Sequence, residues 1–475
     1  RSAVQRRSTN KREGANGVVC FLRESLRPSA EEPILQVCGL TRRPVERRME
    51  DNPAGGENGR DVEVAPALIS VHPFHKSVAV AVGSDLRVFD LQEDRSVSLV
   101  DNSGGPIHKD SIRAICFGAE GKLLVSAGDD KLVKIWSTDS WDCIRTVCSE
   151  KRVSAATISN DGLFVCFADK FGVVWVVDVD GLDEDKANGG ATPILAHYCS
   201  IITCLVFSPN GRFLVSADRD FKIRVTIFPN KPRDGAHEIQ CFCLGHTEYI
   251  SSLAFICSMN HPESFLVSGG GDSSVCLWDP VSGYLLDTCN VGAEVGLLES
   301  SGKADEGSPA VMDLCTLTDG TIVAVAIQSF QGIMLLNCEL SSKTVFVIKV
   351  IHFPGEAFIP TSLGFSPCSE FLWMVMGVSI LHGTDSRSLA RVRVVSGFTN
   401  SSPELNPYLL GDDEIPGGGE LLEMVQGSLS IEGKVLVEAA EAVRVAMQNL
   451  LTKKLYGLET RELRKRGRND RKNKG

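Results

Sequence analysis

The sequence predicts an all-β fold, a seven-bladed β-propeller, from three observations: a recurring polar tetrad, a repeat of about 40 to 45 residues, and short apolar strands. The fullest tetrad consists of His246, Ser268, Asp272 and Trp278. Its imidazole, hydroxyl, carboxylate and indole groups can share hydrogen bonds inside one four-stranded blade. Such a network satisfies polar groups that blade packing would otherwise bury without partners.

A second tetrad argues against a chance match. His108, Ser126, Asp130 and Trp136 keep the same spacing, with four residues from serine to aspartate and ten from serine to tryptophan. The fullest unit also ends in a Trp-Asp pair at Trp278. This spacing is typical of WD repeats, each of which folds as one propeller blade.

Five weaker units complete the predicted ring of seven. They are His72–Asp90, Ser159–Trp175, His197–Thr226, a unit around Thr318–Gly320 and a unit around Phe365–Pro367. Apolar runs such as Ser77–Val82 indicate buried strands. We therefore place the propeller at residues 64–397. Its last blade is expected to take a closing strand from residues before His72, such as Val64–Val71, which would protect the sheet edges.

The charge of the chain is unevenly distributed. Residues 1–48 carry 11 Lys/Arg against 5 Asp/Glu, and residues 461–475 carry 8 against 2. The remaining residues carry 30 against 53, a net charge of −23 within a total of −11. Phosphate binding depends on lysine and arginine, so the acidic body is not expected to wrap nucleic acid unaided.

Catalytic, cofactor and metal motifs are not found in the sequence. The 16 cysteines contain no C-x-x-C pair and are interpreted as buried reduced thiols rather than zinc ligands. Gly269–Asp272 lies between two strands and opens no helix, so it is a turn rather than a phosphate cradle. No apolar run approaches the ~20 residues of a membrane span. The sequence thus favours a binding or scaffolding protein without a small-molecule substrate.

Both ends of the chain differ from the propeller. Residues 1–63 are expected to be a disordered extension, either an organelle transit peptide or, as we favour, sequence upstream of an initiator at Met49. Residues 398–432 are interpreted as a Ser/Pro/Gly-rich linker. Residues 433–475 are expected to form a helix, from about Lys434 to Tyr456, and a basic tail. That tail suggests nuclear import, with direct RNA contact as the alternative.

Four segments carry a more specific resemblance: Phe167–Gly172, Ser216–Val225, Phe242–Ser252 and Leu266–Val275. They resemble the non-catalytic WD-repeat subunit of the eukaryotic tRNA (guanine-N7)-methyltransferase, and the resemblance covers roughly residues 65 to 400. It implies a heterodimer with a separate S-adenosylmethionine-dependent catalytic subunit, which methylates guanine N7 in the tRNA variable loop. It also implies that tRNA reaches this chain through the complex and that the chain holds no cofactor. The basic tail makes the nucleus the expected location, with the cytoplasm as a further one.

The candidate partner-binding residues are Lys170, Arg219, Lys222 and Arg224. Strand alternation puts Lys222 and Arg224 on one face, and the resemblance implies that this segment contacts the catalytic subunit. A solvated strand face is the alternative. A different function also stays open, namely a general WD-repeat scaffold such as a ubiquitin-ligase substrate receptor or a chromatin adaptor. Such receptors often carry an arginine shortly after a Trp-Asp pair, and the segment after Trp278 lacks one.

Overall fold

Seven four-stranded antiparallel sheets make up most of the protein. The computed structural model describes residues 65–101, 104–181, 190–198, 200–258, 261–296, 309–317, 320–353, 358–379, 389–398, 406–426 and 433–451. Within these residues each sheet uses four strands that are consecutive in sequence. The first strand of each sheet contacts the first strand of the next, and the last sheet contacts the first. The seven-bladed propeller predicted from the sequence is therefore confirmed.

The strands are numbered in chain order, four to a blade. Blade 1 contains β1 Leu68–Val71, β2 Ser77–Val82, β3 Asp85–Asp90 and β4 Arg95–Val97, and blade 2 contains β5 Ile112–Gly118, β6 Leu123–Gly128, β7 Leu132–Ser137 and β8 Cys143–Cys148. Blade 3 contains β9 Val153–Ile158, β10 Phe164–Asp169, β11 Val173–Asp178 and β12 Thr192–Ala196, and blade 4 contains β13 Ile202–Phe207, β14 Phe213–Asp218, β15 Lys222–Ile227 and β16 Ile239–Leu244. Blades 5 to 7 contain β17 Ile250–Ser258, β18 His261–Gly270, β19 Ser274–Trp278, β20 Leu285–Asn290; β21 Val311–Thr316, β22 Ile322–Ile327, β23 Gly332–Glu339, β24 Thr344–His352; and β25 Ser362–Phe365, β26 Leu372–Val378, β27 Leu389–Ser396, β28 Tyr408–Leu409. The α-helices are α1 Val291–Glu294, α2 Gly418–Gln426 and α3 Gly433–Leu451.

The core lies between neighbouring blades, and strand alternation fills it. All six residues of β2 are buried. Val78 and Val80 pack in a cluster with Trp373 of blade 7, whereas Ala79 packs in a cluster with Trp136 of blade 2. Successive side chains point to opposite faces of a strand, so one apolar strand serves two interfaces. Its small alanines leave room for the large indole on the blade 2 side.

The ring closes through residues that precede the first blade. Ala67 N donates to Gly377 O at 2.9 Å and Ser379 N donates to Ala65 O at 3.0 Å, with a bridge between Pro66 and Val378. Residues 65–67 thereby extend the innermost strand of blade 7 before the chain continues into β1. The expectation that Val64–Val71 forms the closing strand of blade 7 is thus corrected.

The outer strand of blade 7 comes from the segment predicted to be a linker. In β28, Leu409 pairs with Val395 and Tyr408 with Ser396. The propeller therefore extends beyond residue 397. This assignment was wrong because β28 has only two residues and lies among glycine, proline and acidic residues that predict a loop.

Helix α2 also lies in the predicted linker. Leu421, Leu422 and Val425 are buried in a cluster shared by blades 7 and 1. Gln426 Oε1 accepts a 2.7 Å hydrogen bond from Val392 N of β27, so the side chain satisfies a backbone donor. The segment is thus an ordered part of the ring closure rather than a linker.

Helix α3 begins at Gly433, one residue before the predicted start. Ala439 and Val443, four positions apart, are buried in a cluster that includes Met376 of β26. Residues 452–475, with the predicted end of the helix and the basic tail, lie outside the described residues, as do residues 1–64. No helix in the described part of the chain is long and apolar enough to cross a membrane.

Candidate functional site

In blade 2 the tetrad converges on one hydroxyl. Trp136 Nε1 donates to Ser126 Oγ at 3.0 Å, and His108 Nε2 lies 2.8 Å from the same oxygen. His108 Nδ1 lies 2.8 Å from Asp130 Oδ2. The imidazole, the hydroxyl and the indole are all buried. These hydrogen bonds tie the entry of the blade to its second and third strands.

The tetrad of blade 5 has the same connectivity. Trp278 Nε1 donates to Ser268 Oγ at 2.8 Å, and His246 Nδ1 lies 3.0 Å from Asp272 Oδ2. Burial is the largest single effect and opposes charge on both partners, but the hydrogen bonds and charges around them together outweigh it. The pKa of His246 rises to about 9 and that of Asp272 falls to about 2. Both tetrads therefore organise their blades and have no exposed reacting group.

Blade 4 keeps part of this network in altered form. His197 Nδ1 lies 2.8 Å from Asp218 Oδ2, and His197 Nε2 lies 2.8 Å from Ser216 Oγ. In the other tetrads the aspartate follows the serine by four residues, which would be Asp220 here, yet His197 pairs with Asp218. The second oxygen of Asp218 accepts from the backbone N–H of Asp220 and Lys222. One carboxylate thus fixes the turn that presents Arg219 and Lys222.

Arg224 lies beside Thr226, which stands where the tryptophan of a complete tetrad would be. Its Nε donates to Thr226 Oγ1 at 3.1 Å and its Nη1 to Ala196 O at 3.3 Å. Burial lowers the pKa of Arg224. Strand alternation correctly places Lys222 and Arg224 on one face, but only Lys222 is exposed. Arg224 therefore joins blade 4 to the outer strand of blade 3.

A cleft of about 380 Å³ extends from Arg224 and Lys222 across the outer strands of blades 3 and 4. Its wall includes Tyr198, Phe242 and Leu244, whose side chains are 94%, 44% and 62% exposed. Our sequence reasoning missed this apolar component. The available signal was the alternation in β16, where Phe242 and Leu244 flank the buried Cys243.

Lys170 and Arg219 occupy equivalent positions in blades 3 and 4. Each follows the second strand of its blade, and each backbone N–H donates at 2.9 Å to the residue before the first strand, Arg152 or Ile201. Their side chains therefore emerge at the same end of the ring. Arg219 Nε is buried without a hydrogen-bond partner. The cleft adjoins them, because His197 N donates to Gly172 O in the turn that contains Lys170.

Three cationic side chains, one of them Lys170, surround the buried carboxylate of Asp129. Asp129 Oδ2 lies 2.7 Å from Arg113 Nη2, and Asp129 Oδ1 lies 3.5 Å from Lys170 Nζ and 3.9 Å from Arg152 Nη1. The group carries an excess of positive charge. The sequence predicted only Lys170 among these residues, since the others come from different strands with no common spacing. The side chain of Arg113 is itself buried. We refer to this arginine together with Arg152, Lys170, Arg219 and Lys222, which lie above it, as the cationic surface.

In the part of the chain that the structure describes, the cysteines and acidic groups form no metal cluster. In the described residues, all 13 cysteines are unpaired thiols, and burial raises the pKa of Cys116 to about 12. Such thiols are poor nucleophiles and poor metal ligands. No group of three or more His, Cys, Asp or Glu side chains in the described ranges is placed to hold a metal ion.

The fold and the tetrads define a WD-repeat β-propeller. Residues 106–137, which contain the blade 2 tetrad, match the family described as WD domain, G-beta repeat. Solved structures of U3-55K and of the RRP9 WD40 repeats are similar, with TM-scores of 0.51 and 0.52 and 20% sequence identity. Each comparison covers 67% of this chain and 89% or 88% of the other. At this identity the likeness concerns the fold alone.

Sequence relatives are more specific. Residues 183–370 match the family described as tRNA methyltransferase TRM82 WD40 domain, a range that includes Arg219, Lys222 and Arg224. Proteins named tRNA (guanine-N(7)-)-methyltransferase non-catalytic subunit WDR4 are similar in Mus musculus (34% identity, 52% of this chain and 56% of the relative) and Danio rerio (32%, 49% and 52%). A Xenopus laevis protein of the same name is 26% identical over 67% of this chain and 76% of the length of the relative.

These matches confirm the resemblance to the non-catalytic WD-repeat subunits of tRNA (guanine-N7)-methyltransferase. The chain spans about half the length of several curated relatives that it matches. The names of these relatives describe non-catalytic subunits, in agreement with the prediction that this chain is not the catalytic subunit.

Proposed function

We propose that this chain is the non-catalytic subunit of a tRNA (guanine-N7)-methyltransferase complex. In this proposal it binds and stabilises a separate S-adenosylmethionine-dependent catalytic subunit as a heterodimer. The pair forms N7-methylguanosine in the tRNA variable loop, and tRNA reaches this chain through the complex. The names of the sequence relatives support the complex, and the surface chemistry of blades 3 and 4 supports a protein partner.

The observation that carries the proposal is that the cationic surface and the apolar cleft lie side by side. Lys222 belongs to both, and the cleft adjoins the turn that contains Lys170. Exposed aromatic side chains surrounded by polar groups are typical of protein interfaces, where a few such anchors supply most of the affinity. The body of the chain is acidic overall, so this positive region selects a partner with an acidic patch.

The two parts of the surface have different expected roles. Lys170, Arg219 and Lys222 would attract and orient acidic side chains, which chiefly raises the association rate. Tyr198, Phe242 and Leu244 would be desolvated on docking and slow the dissociation. Arg224 contributes less directly, because its guanidinium already bonds Thr226 and Ala196. It holds the floor of the cleft in place.

Co-purification with the catalytic subunit of the same organism tests the proposal. The two chains should elute together in equal amounts, and methyl transfer to tRNA should require the catalytic subunit and increase with this chain. The variant Lys170→Glu/Lys222→Glu should separate them, whereas Arg95→Glu, an exposed residue of blade 1, should not. Methyl transfer by this chain alone, or co-purification of ubiquitin-ligase components instead, would contradict the proposal.

We also propose that the complex acts in the nucleus. The support is the basic tract 461–475, which carries 8 Lys/Arg against 2 Asp/Glu and resembles an import signal. Deleting this tract should shift a tagged protein to the cytoplasm and leave methylation by the purified pair unchanged. A deletion that stays nuclear and weakens tRNA binding, with a flatter salt dependence, would assign the tract to RNA contact instead.

A further inference from the structure

A second cleft, of about 350 Å³, lies between blades 1 and 2. It is lined by turns that join first to second strands and third to fourth strands, such as those before Ser77 and after Asp90. The cationic surface lies at the turns between second and third strands and at the starts of first strands. Since successive strands of a blade run in opposite directions, the two regions lie at opposite ends of the ring.

The cleft exists because Ser77 replaces a large side chain. Ser77 starts the second strand of blade 1 and pairs with Asp90. Five other blades place a large apolar residue at this register, and these pairs are Leu123 with Ser137, Phe164 with Asp178, Phe213 with Ile227, Ile322 with Asn337, and Leu372 with Val395. Ser77 is 2% exposed, and its Oγ has no hydrogen-bond partner. A buried hydroxyl without a partner destabilises the fold unless a ligand or water satisfies it.

Tight packing closes one side of the cleft. A Cβ on Gly121 would lie 2.2 Å from His72 Nε2, so only glycine permits this approach. His72 Nδ1 accepts a 3.0 Å hydrogen bond from Phe74 N. Burial lowers the pKa of His72, and the ring therefore adds no positive charge. The aromatic rings of Phe74, which is 51% exposed, and Trp141 complete the apolar part of the lining.

The charges around the cleft favour a cation. Asp90, Glu120 and Asp139 line it, against Lys76 and Lys122. Asp90 is held in place because its Oδ1 accepts from Gln92 N and Glu93 N, whereas both lysines are exposed and have long stems that can turn into solvent. Aromatic faces attract an ammonium or guanidinium group as well.

We propose that this cleft binds a lysine or arginine side chain presented by an extended segment of a partner protein. The aliphatic stem lies along Phe74 and Trp141, and the charged end lies among Asp90, Glu120 and Asp139. Ser77 Oγ accepts a hydrogen bond from the bound group. The site is independent of the surface on blades 3 and 4, so it gives the propeller a second docking point at its other end.

Titration of the full chain with three pentapeptides tests the site. The peptides are acetylated and amidated, with arginine, lysine or glutamate between glycine pairs, and heat release or ligand NMR reports binding. The arginine and lysine peptides should bind and the glutamate peptide should not. Preference for the glutamate peptide, or no binding by any of the three, would overturn the proposal.

Two variants and a control locate the binding. Ser77→Leu introduces the residue that blade 2 has at this register and should fill the cleft. It should weaken arginine-peptide binding at least about tenfold, which is the factor expected for losing one hydrogen bond to a charged group. Asp139→Asn, at an exposed position, should weaken it several-fold without affecting folding, which keeps the test decisive if Ser77→Leu is unstable. Asp413→Asn removes an exposed carboxylate of similar charge elsewhere and should change nothing. Equal affinity in all variants would show that the peptide binds outside the cleft.

Discussion

Trp373 Nε1 donates a 3.2 Å hydrogen bond to His75 Nε2, which joins blade 7 to blade 1 across 298 positions of sequence. The two rings also contact, with centroids 6.0 Å apart. The bond requires an Nε2 that carries no proton. Burial, and then the neighbouring His72, lowers the pKa of His75 and keeps it neutral. Protonation of His75 would remove this link across the ring closure.

The stability of the propeller should therefore decrease on acidification. Below a pH of about 6.5 the unfolded chain takes up a proton on His75, while the folded chain resists it, so the free energy of unfolding falls as the pH falls. Urea unfolding of the wild type and of His75→Gln between pH 7 and pH 5 measures this. Glutamine can accept the hydrogen bond from Trp373 without titrating, so the stability of the His75→Gln variant should fall less. Equal slopes for both proteins would exclude His75 as the titrating group.

The blade 5 tetrad should show the opposite pH dependence. The pKa of His246 is raised to about 9, so its contribution is fully present below its unfolded value and is lost as the pH rises toward about 9. Asp272→Asn should remove most of this loss in unfolding measurements from pH 6.5 to 9. His246→Ala should destabilise by about 3 kcal/mol, because a buried carboxylate loses its partner.

The control for this pair is His237→Ala. His237 is exposed, and its Nε2 lies 3.0 Å from the backbone oxygen of Asp234. Its replacement should change the free energy of unfolding by no more than about 0.5 kcal/mol. An effect of His246→Ala as small as that would mean that the tetrad is dispensable for folding.

Charge reversal on the cationic surface should separate affinity from stability. Arg219→Glu with Lys222→Glu should weaken binding to the catalytic subunit by several kcal/mol, since like charges face each other across the interface. Thermal unfolding should stay nearly unchanged for Lys222→Glu. Arg224→Glu should lower both the partner affinity and the thermal stability, because it also breaks the bonds to Thr226 and Ala196. Calorimetric titration with the partner measures the first effect, and unchanged affinity in a folded variant would remove these residues from the interface.

Tyr198→Ala should identify the apolar anchor of the cleft. The side chain is 94% exposed, so its removal should leave the unfolding temperature unchanged. Loss of a central aromatic anchor weakens an interface by about 2 kcal/mol or more, roughly thirtyfold in the dissociation constant. Tyr408→Ala, at an exposed tyrosine of β28 in blade 7, is the matched control. If the two variants bind the partner equally well, the cleft is not part of the interface.

The features that could be predicted from the sequence are those that depend on spacing within one blade. The two complete tetrads lie where the Ser-to-Asp and Ser-to-Trp spacings place them, because hydrogen bonds between adjacent strands fix the register. Alternation likewise placed Lys222 and Arg224 on one face. Even here one difference between blades intervened: blade 4 has Asp218 where blade 2 has Gly128, and His197 pairs with Asp218 instead of Asp220.

Features that join different blades could not be predicted in this way. Arg113 and Asp129 belong to blade 2, whereas Arg152 and Lys170 come from blade 3, and no sequence spacing connects the two pairs. The cleft at Ser77 becomes visible when strand registers of several blades are compared, and blade 1 has no tetrad to anchor such a comparison. Helix α2 was missed because its leucines follow a glycine run that predicts a loop.

Closure by residues 65–67 has a consequence for synthesis at the ribosome. Blade 1 emerges early, but the strand that completes its neighbourhood is made about 300 residues later, since His75 and Trp373 are 298 positions apart. At ~5–20 residues per second this is a delay of roughly 15 to 60 s, much longer than the microseconds in which a hairpin forms. During that time the face of the first sheet that carries Val78 and Val80 has no blade to pack against. We expect chaperones to engage the nascent chain at this apolar face until blade 7 arrives.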